Sequence, residues 1–527
     1  MIMKKQLTAK ALFILAMVII SINCTTKQKR LEHDRIKIQE AIINAADQAY
    51  QSGSYSNLIK AERIYTKLAA ENPSSSQINE KLIKILFLLA LRSKELGLPS
   101  ASFEEKAKEL FATTPSLSAL DRYFPVVLAT QSNLPGASPQ QSDGDPISLT
   151  RHLNWIRSNA DEINNELKVK AVQDPFFAYL LLSFHENFNP WIKEKLVVDG
   201  INKLYPDCPI VQYKLALVPK IDDVRLKEML LAYPDFHEIH FFLGGCFLAS
   251  GEILTAEKHY KQMLQYFPDC TTCLMGLSRI NFALEEYQEC IAIYDKVLSL
   301  LPTFQDVYLG KTICLSYLGK HHEALAICQE NQERGDYLMG EFSYWSAWNL
   351  QQLGLYAQAV PEIEKAQKYL YRNYEVLLLS GLIYFGLKDY ERAEKDLADV
   401  LVHTLDLEAA FHLGKIYAHR NIWKESGQYF KTAAKAGIQE QNFLEQKILE
   451  YGESELLEER KNRLIVKKNL QLKHIKLKTA TAYYNAAAGF FNAGQYKEVI
   501  ACASQAYLHP SFRDLADDLL RKIEKKN

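Results

Sequence analysis

Small side chains recur along the chain at intervals of 33 to 35 residues, and bulkier side chains hold fixed positions around them. The recurring small residues are Ala256, Cys290, Ala324, Ala359, Ala393 and Ser426. A second small residue precedes each by twelve positions: Gly244, Ser278, Thr312, Ala347, Gly381 and Gly414. Because two helices approach tightly only where both carry small side chains, the pattern predicts six helical hairpins of similar length.

Two further positions complete the pattern around each small residue, and the first of them is aromatic or bulky. Three positions before it stand Ile253, Tyr287, His321, Tyr356, Tyr390 and Trp423. Four positions after it stand Tyr260, Tyr294, Cys328, Ile363, Leu397 and Phe430. This arrangement resembles the tetratricopeptide repeat, a helix–turn–helix unit of about 34 residues. The resemblance implies an all-α solenoid of antiparallel helix pairs in a right-handed superhelix, which buries a core by stacking and exposes a recognition surface.

The repeat pattern divides the chain into segments. Residues 237–440 hold the six regular units, and residues 479–527 a last repeat-like unit with a cap. We expect degenerate repeat-like helices in residues 41–130 and 147–236, separated by a flexible linker rich in Pro, Gly, Ser and Gln at 131–146. Between the regular units and the last one lies a charged helical insertion, residues 441–478.

The N-terminus predicts export. A basic leader precedes twelve mostly apolar residues from Ala11 to Ile22, too short a run to cross the bilayer core as a helix but suited to a signal peptide at 1–23. Cys24 follows in a context that resembles a relaxed bacterial lipobox. This resemblance implies a lipidated cysteine, a tether at 24–40 and attachment to the periplasmic face of the outer membrane. An ordinary signal peptide or an uncleaved anchor remains the alternative.

Composition narrows the classes of function. The 527 residues carry a formal net charge of −1, so no global attraction to nucleic acid is expected. No phosphate loop, nucleophile elbow or paired-carboxylate motif is present in the sequence. We therefore predict a protein that is not an enzyme, requires no cofactor or metal, and binds a protein or peptide partner.

The charged insertion has two interpretations. It is acidic first and basic afterwards, which is typical of a solvated helix or helical hairpin with mixed charge pairs. The functional alternative is a basic strip for lipid head groups or for an acidic partner.

The resemblance also indicates which side chains line the binding groove. In tetratricopeptide repeats the first helix of each unit lines the concave face. The corresponding residues here are Phe241, Leu248, Met275, Arg279, Phe282, Leu309, Ile313, Tyr344, Trp348, Gln351, Leu378, Leu382, Phe385 and Phe411, with Lys415 as a further polar member. Because most are apolar, we expect them to bind an apolar or amphipathic segment, unless residues 441–478 or the superhelix itself fill the groove.

Other features suggest alternative sites. An acidic residue recurs near the start of five first helices, either to stabilise each helix N-terminus or as an acidic ladder for a basic ligand: Glu238, Asp306, Glu341, Glu375 and Glu408. The pairs His237/His240 and Cys270/Cys273 are candidates for a metal or redox site if they converge. A further alternative function is an accessory of a solute transport system that partners a periplasmic binding protein.

Overall fold

Helices account for all the regular secondary structure that the structure describes. This computed structural model describes residues 33–114, 117–129, 146–188, 194–218, 221–333 and 338–524. Those residues contain no β-strand, so the prediction of an all-α fold is confirmed. The predicted signal peptide, Cys24 and nearly all of the predicted linker at 131–146 lie outside the described residues. The chain divides into two compact units, Met1–Cys273 and Leu274–Asn527.

The first unit contains helices α1 to α13. In chain order these are α1 (residues 33–52), α2 (Tyr55–Glu71), α3 (Ser76–Leu96), α4 (Ala101–Thr113), α5 (Ser118–Asp121), α6 (Phe124–Ala129), α7 (Pro146–Ala171), α8 (Pro175–Phe188), α9 (Glu194–Leu204), α10 (Pro209–Leu217), α11 (Asp223–Ala232), α12 (Ile239–Ala249) and α13 (Ile253–Tyr266). Consecutive helices pack in pairs such as α2 with α3, α7 with α8 and α12 with α13.

The second unit continues the hairpins from α14, whose first residues belong to the first unit. The helices are α14 (Thr271–Ala283), α15 (Tyr287–Leu300), α16 (Gln305–Tyr317), α17 (His321–Glu333), α18 (Met339–Gln352), α19 (Tyr356–Tyr369), α20 (Tyr374–Gly386), α21 (Tyr390–His403), α22 (Leu407–His419), α23 (Trp423–Glu453), α24 (Glu458–Asn492), α25 (Tyr496–Tyr507) and α26 (Arg513–Glu524).

A left-handed residue precedes the second helix of every hairpin from α12–α13 to α22–α23. The second helices begin at the bulky residues of the sequence pattern, and the residue two positions earlier has a positive φ each time. These turn residues are Gly251, Glu285, Gly319, Gly354, Lys388 and Asn421. Glycine adopts this backbone conformation without strain, whereas other residues adopt it less readily. The turn geometry thus repeats even where glycine does not.

The small residues hold the hairpins closely packed. Ala256, Ala359 and Ala393 have no solvent exposure. A Cβ added to Gly414 would lie 2.8 Å from the ring of Phe430, four positions after the small residue of the next helix. The side chain at that small position, Ser426, donates its hydroxyl hydrogen to the carbonyl oxygen of Gly414 at 2.9 Å. A large side chain of the second helix thus covers a small residue of the first, as Tyr260 also covers Gly244 and Leu397 covers Gly381.

Helices α23 and α24 are longer than the others because each combines a repeat helix with part of the charged insertion. The 31 residues of α23 begin as the second helix of the sixth hairpin, and the 35 residues of α24 end as the first helix of the last one. The extended parts form a helical hairpin that turns at residues 454–457. We call residues 458–479 of α24 the basic segment.

A buried ion pair lies inside the first unit. The guanidinium of Arg92 on α3 pairs with the carboxylate of Glu238, which immediately precedes α12, and neither side chain has solvent exposure. The same guanidinium lies 4.0 Å from the ring centroid of Tyr213 and donates to the carbonyl oxygen of Gly53. The backbone N–H of Tyr55 donates to Glu238 at 2.8 Å. The pair thus ties the start of α2 to α3 and α12.

Candidate functional site

Five aromatic rings form a continuous surface in the second unit, and we call this set the aromatic surface: Phe282, Tyr287, Tyr317, Trp345 and Trp348. The rings of Tyr287 and Tyr317 stack with centroids 5.1 Å apart and an interplanar angle of 26°. Tyr317 lies 5.8 Å from Trp345, and Trp345 lies 5.6 Å from Trp348. Phe282 and Tyr317 are 36% and 51% exposed, so the surface is open to solvent at these two rings.

Local structure explains why these rings meet. Phe282 is near the end of α14, Tyr287 is the first residue of α15, and Tyr317 is the last residue of α16. The short turn between α14 and α15 therefore brings the first two rings together, and Tyr317 stands at the corresponding end of the next hairpin. Trp345 and Trp348 are three residues apart on α18 and share one face of that helix.

Carboxylates surround the aromatic surface. Burial raises the pKa of Tyr317, and the charges of Glu375 and Glu285 raise it further. The pKa of Tyr344, beside Trp345, is raised by burial first and then by the charge of Glu375. Aromatic faces and carboxylates both attract cations. The surface therefore combines apolar area with a preference for positively charged groups.

The predicted groove residues differ in their exposure. Arg279 and Phe282 are exposed, and Phe411 is buried. The remaining residues are half-buried: Phe241, Leu248, Met275, Leu309, Ile313, Tyr344, Trp348, Gln351, Leu378, Leu382 and Phe385. The ammonium groups of Lys415 and Lys478 lie 4.9 Å and 5.4 Å from the ring centroid of Phe411. The basic segment thus covers the groove position at Phe411.

Three rings of the aromatic surface are absent from the predicted groove. Tyr287 and Tyr317 stand where one helix begins and another ends, and Trp345 is three residues before the predicted Trp348. The groove prediction used only positions within the first helix of each repeat, so it did not include residues at the helix ends. The bulky residue that recurs three positions before each small residue was a sequence signal for Tyr287.

Two members of the recurring acidic series have distant partners. Glu238 forms no hydrogen bond that caps α12 with its side chain and instead pairs with Arg92. Glu408, near the start of α22, accepts a hydrogen bond from Lys478 of the basic segment. Both residues stand near a helix N-terminus, as the sequence indicated, and both also pair with a residue that is distant in the sequence.

The candidate metal and redox residues have other partners. His237 stacks on Tyr266 with ring centroids 3.4 Å apart, and the Nδ1 atoms of His240 and His259 are 2.8 Å apart. No group of three or more His, Cys, Asp or Glu residues that could hold a metal ion occurs in the described parts of the chain.

The Cys270 and Cys273 thiols interact with each other at the start of α14. The backbone N–H of Cys273 donates to the Cys270 sulfur at 3.3 Å, and both side chains are buried. Burial alone would raise the pKa of Cys270, but hydrogen bonds from Cys273 and Thr272 lower it on balance. Both thiols lack exposure, which leaves no direct path to them from solvent.

Among the residues that the structure describes, no helix combines the length and apolar character needed to cross a bilayer.

Stacked helical hairpins of about 34 residues define a repeat protein, and a family comparison identifies the repeat. The tetratricopeptide repeat model matches residues 346–406, which run from α18 into the turn before α22. No curated protein matches the sequence. The family match at residues 346–406 and the observed hairpins show tetratricopeptide repeats in this chain, which confirms the resemblance.

Three solved structures illustrate the likeness. A tetratricopeptide repeat protein from Parabacteroides merdae ATCC 43184 has a TM-score of 0.35 and 14% identity, covering 51% of this chain and 97% of that one. YrrB, described as having an unusual peptide-binding site, has a TM-score of 0.29 and 15% identity, covering 34% and 91%. PilW, described as a type IV pilus biogenesis factor, has a TM-score of 0.31 and 17% identity, covering 40% and 94%. These TM-scores are low, so the assignment rests on the repeat match and the hairpins.

Proposed function

We propose that this protein is a non-enzymatic interaction scaffold whose aromatic surface binds a segment of a protein partner. The observation that carries the proposal is the run of five rings, open to solvent at Phe282 and Tyr317. Contiguous exposed apolar area marks interaction sites, and aromatic side chains contribute much of the energy at interfaces. Tetratricopeptide repeats present extended binding surfaces of this kind.

The double substitution Phe282→Asp/Tyr317→Asp is expected to abolish partner capture. It places two carboxylates where the partner's apolar side chains would be desolvated, beside the existing Glu285. The measurement is chemical crosslinking in the native cell followed by mass spectrometry of polypeptides attached to the protein. Loss of the crosslinked partner with an unchanged far-UV circular dichroism spectrum supports the proposal.

The matched control is Tyr371→Asp/Val402→Asp. Both side chains are 76% exposed, lie in the second unit and stand outside the aromatic surface. This variant is expected to retain the partner. Equal capture by the two variants and the wild type would contradict the assignment of the surface. A small molecule found bound by native mass spectrometry, without any polypeptide, would instead favour the solute-transport alternative.

We also propose that the protein acts outside the cytoplasm, attached through a lipid on Cys24. The support is the sequence alone: the leader, the short apolar run and the lipobox-like context. Cys24→Ser is expected to move the protein from the membrane fraction to the soluble fraction, as judged by immunoblotting after fractionation. Retention of the variant in the membrane would indicate an uncleaved helical anchor.

A further inference from the structure

The basic segment makes a dense set of ion pairs with the turn before α15. Arg460 Nε lies 2.9 Å from a carboxylate oxygen of Glu286, and Arg463 binds the same carboxylate. Lys468 donates to the carboxylate of the adjacent Glu285 at 2.5 Å. The Glu286 side chain is only 4% exposed, so this contact is desolvated. These ion pairs thus connect residues more than 170 positions apart in the sequence.

The segment also reaches the aromatic surface. The ammonium group of Lys467 lies 5.6 Å from the ring centroid of Tyr287, and the same lysine donates to the backbone carbonyl oxygen of Glu285 at 3.2 Å. Tyr287 stacks in turn on the exposed Tyr317. We call Glu285, Glu286 and Tyr287 the acidic edge of the aromatic surface. A lysine of the chain's own basic segment therefore already occupies this edge.

Glu285 combines a left-handed backbone with a paired carboxylate. Glu285 has a φ of 55°, and Lys388 and Asn421 are also left-handed at their equivalent turns, while the other three turns use Gly251, Gly319 and Gly354. A left-handed conformation costs a non-glycine residue on the order of 1 kcal/mol. The observed partners of the Glu285 carboxylate are Lys467 and Lys468.

A second contact fixes the far end of the segment. Lys478 binds Glu408 and lies over the ring of Phe411, ten residues beyond Lys468 and therefore about 15 Å along the helix axis. Between the paired cations, Leu464 and Leu472 are buried, with 0% and 8% exposure. The segment thus combines cations that pair with the repeats and buried leucines at helical spacing.

We propose that the basic segment is a resident occupant of the acidic edge, and that the partner's binding segment is a basic amphipathic helix that replaces it. This inference rests on the proposed function, because it names the chemistry of the segment bound there. Charge complementarity selects a cationic segment, and the resident segment that it would replace is itself an amphipathic helix. Partner binding is then restrained by a competing contact within the same chain.

The test uses the full-length protein and a fluorescein-labelled peptide with the sequence of residues 458–479. Arg463→Ala/Lys468→Ala removes two of the ion pairs that hold the resident segment. This variant is expected to bind the peptide at least about tenfold more tightly than the wild type, since a site occupied nine-tenths of the time binds a competitor about tenfold more weakly. Fluorescence anisotropy measures the affinity.

The control is Lys473→Ala/Lys476→Ala, which removes the same charge from side chains exposed to solvent on the same helix. It is expected to bind the peptide with wild-type affinity. A scrambled peptide of the same composition is expected to bind none of the proteins. Equal affinity of the wild type and the Arg463→Ala/Lys468→Ala variant, or equal binding of the scrambled peptide, would overturn the proposal.

Hydrogen exchange of the wild type gives an answer even if the variant fails to fold. A large excess of the unlabelled peptide is expected to accelerate exchange at residues 458–479, because the released segment loses its packing. Unchanged exchange under peptide saturation would refute displacement. The proposed scaffold function is judged separately by partner capture with Phe282→Asp/Tyr317→Asp, so either idea can fail without the other.

Discussion

Glu238→Gln is expected to lower the free energy of unfolding of the first unit by about 3 to 5 kcal/mol, the cost of removing one partner of a buried ion pair. The substitution keeps the shape of the side chain but leaves Arg92 charged in a site without solvent access. Pairing with Glu238 raises the pKa of Arg92 despite its burial, so the guanidinium does not neutralise. Chemical denaturation followed by far-UV circular dichroism measures the loss as a lower midpoint.

A double variant and an exposed pair provide the controls. Arg92→Met/Glu238→Met is expected to recover a large part of the stability, because two apolar groups replace two buried charges. Asp223→Asn removes one partner of a pair in which both side chains are nearly half exposed, and it is expected to leave the midpoint unchanged. If Glu238→Gln also leaves the denaturation midpoint unchanged, the Arg92–Glu238 pair does not behave as a desolvated ion pair.

Gly489→Leu is expected to destabilise the second unit by about 3 kcal/mol, the upper part of the range for overpacking. A Cβ at Gly489 would lie 3.0 Å from the backbone nitrogen of Gly427 and 3.1 Å from the carbonyl oxygen of Trp423. Backbone atoms cannot move aside as a flexible side chain can. The pairing of α23 with α24, which also positions the basic segment, therefore depends on this close approach. Thermal unfolding measures the effect.

Gly452→Leu is the matched control, since it lies near the end of α23 and nothing stands within 4 Å of an added Cβ. We expect no loss of stability there, because leucine has a higher helix propensity than glycine. The melting temperature of Gly489→Ala is expected to lie between those of Gly489→Leu and Gly452→Leu. Equal melting temperatures for Gly489→Leu and Gly452→Leu would contradict the observed packing of these helices.

The repeat pattern predicted the helices well because tight hairpin packing is a local constraint. A small residue twelve positions before another small residue places two helices in contact, and the second helix begins at the bulky residue, as at Tyr390. The all-α class and the repeat family followed from this periodicity and are confirmed. The repeat positions also predicted that Phe282 and Trp348 lie on the groove side of their helices. Phe282 is exposed and Trp348 is half-buried.

The partners of charged residues could not be read from the same pattern. Glu238 reproduces the acidic position of its repeat, yet its partner Arg92 lies 146 residues earlier in a helix outside the regular units. The basic segment reads as a solvated charged helix, and its contacts with Glu285 and Glu286 depend on how several hairpins stack. Periodicity specifies each hairpin, whereas these contacts arise from accumulated small rotations between hairpins.

Site-specific photo-crosslinking at Tyr317 tests the central claim most directly. A photoreactive phenylalanine analogue at this position, activated in the native cell, is expected to attach to a distinct polypeptide through a segment rich in Lys or Arg at helical spacing. The same analogue at Tyr371, outside the aromatic surface, is expected to give no such product. Crosslinks from position 317 confined to the protein's own basic segment, or equal products from both positions, would contradict a partner-binding role for the aromatic surface.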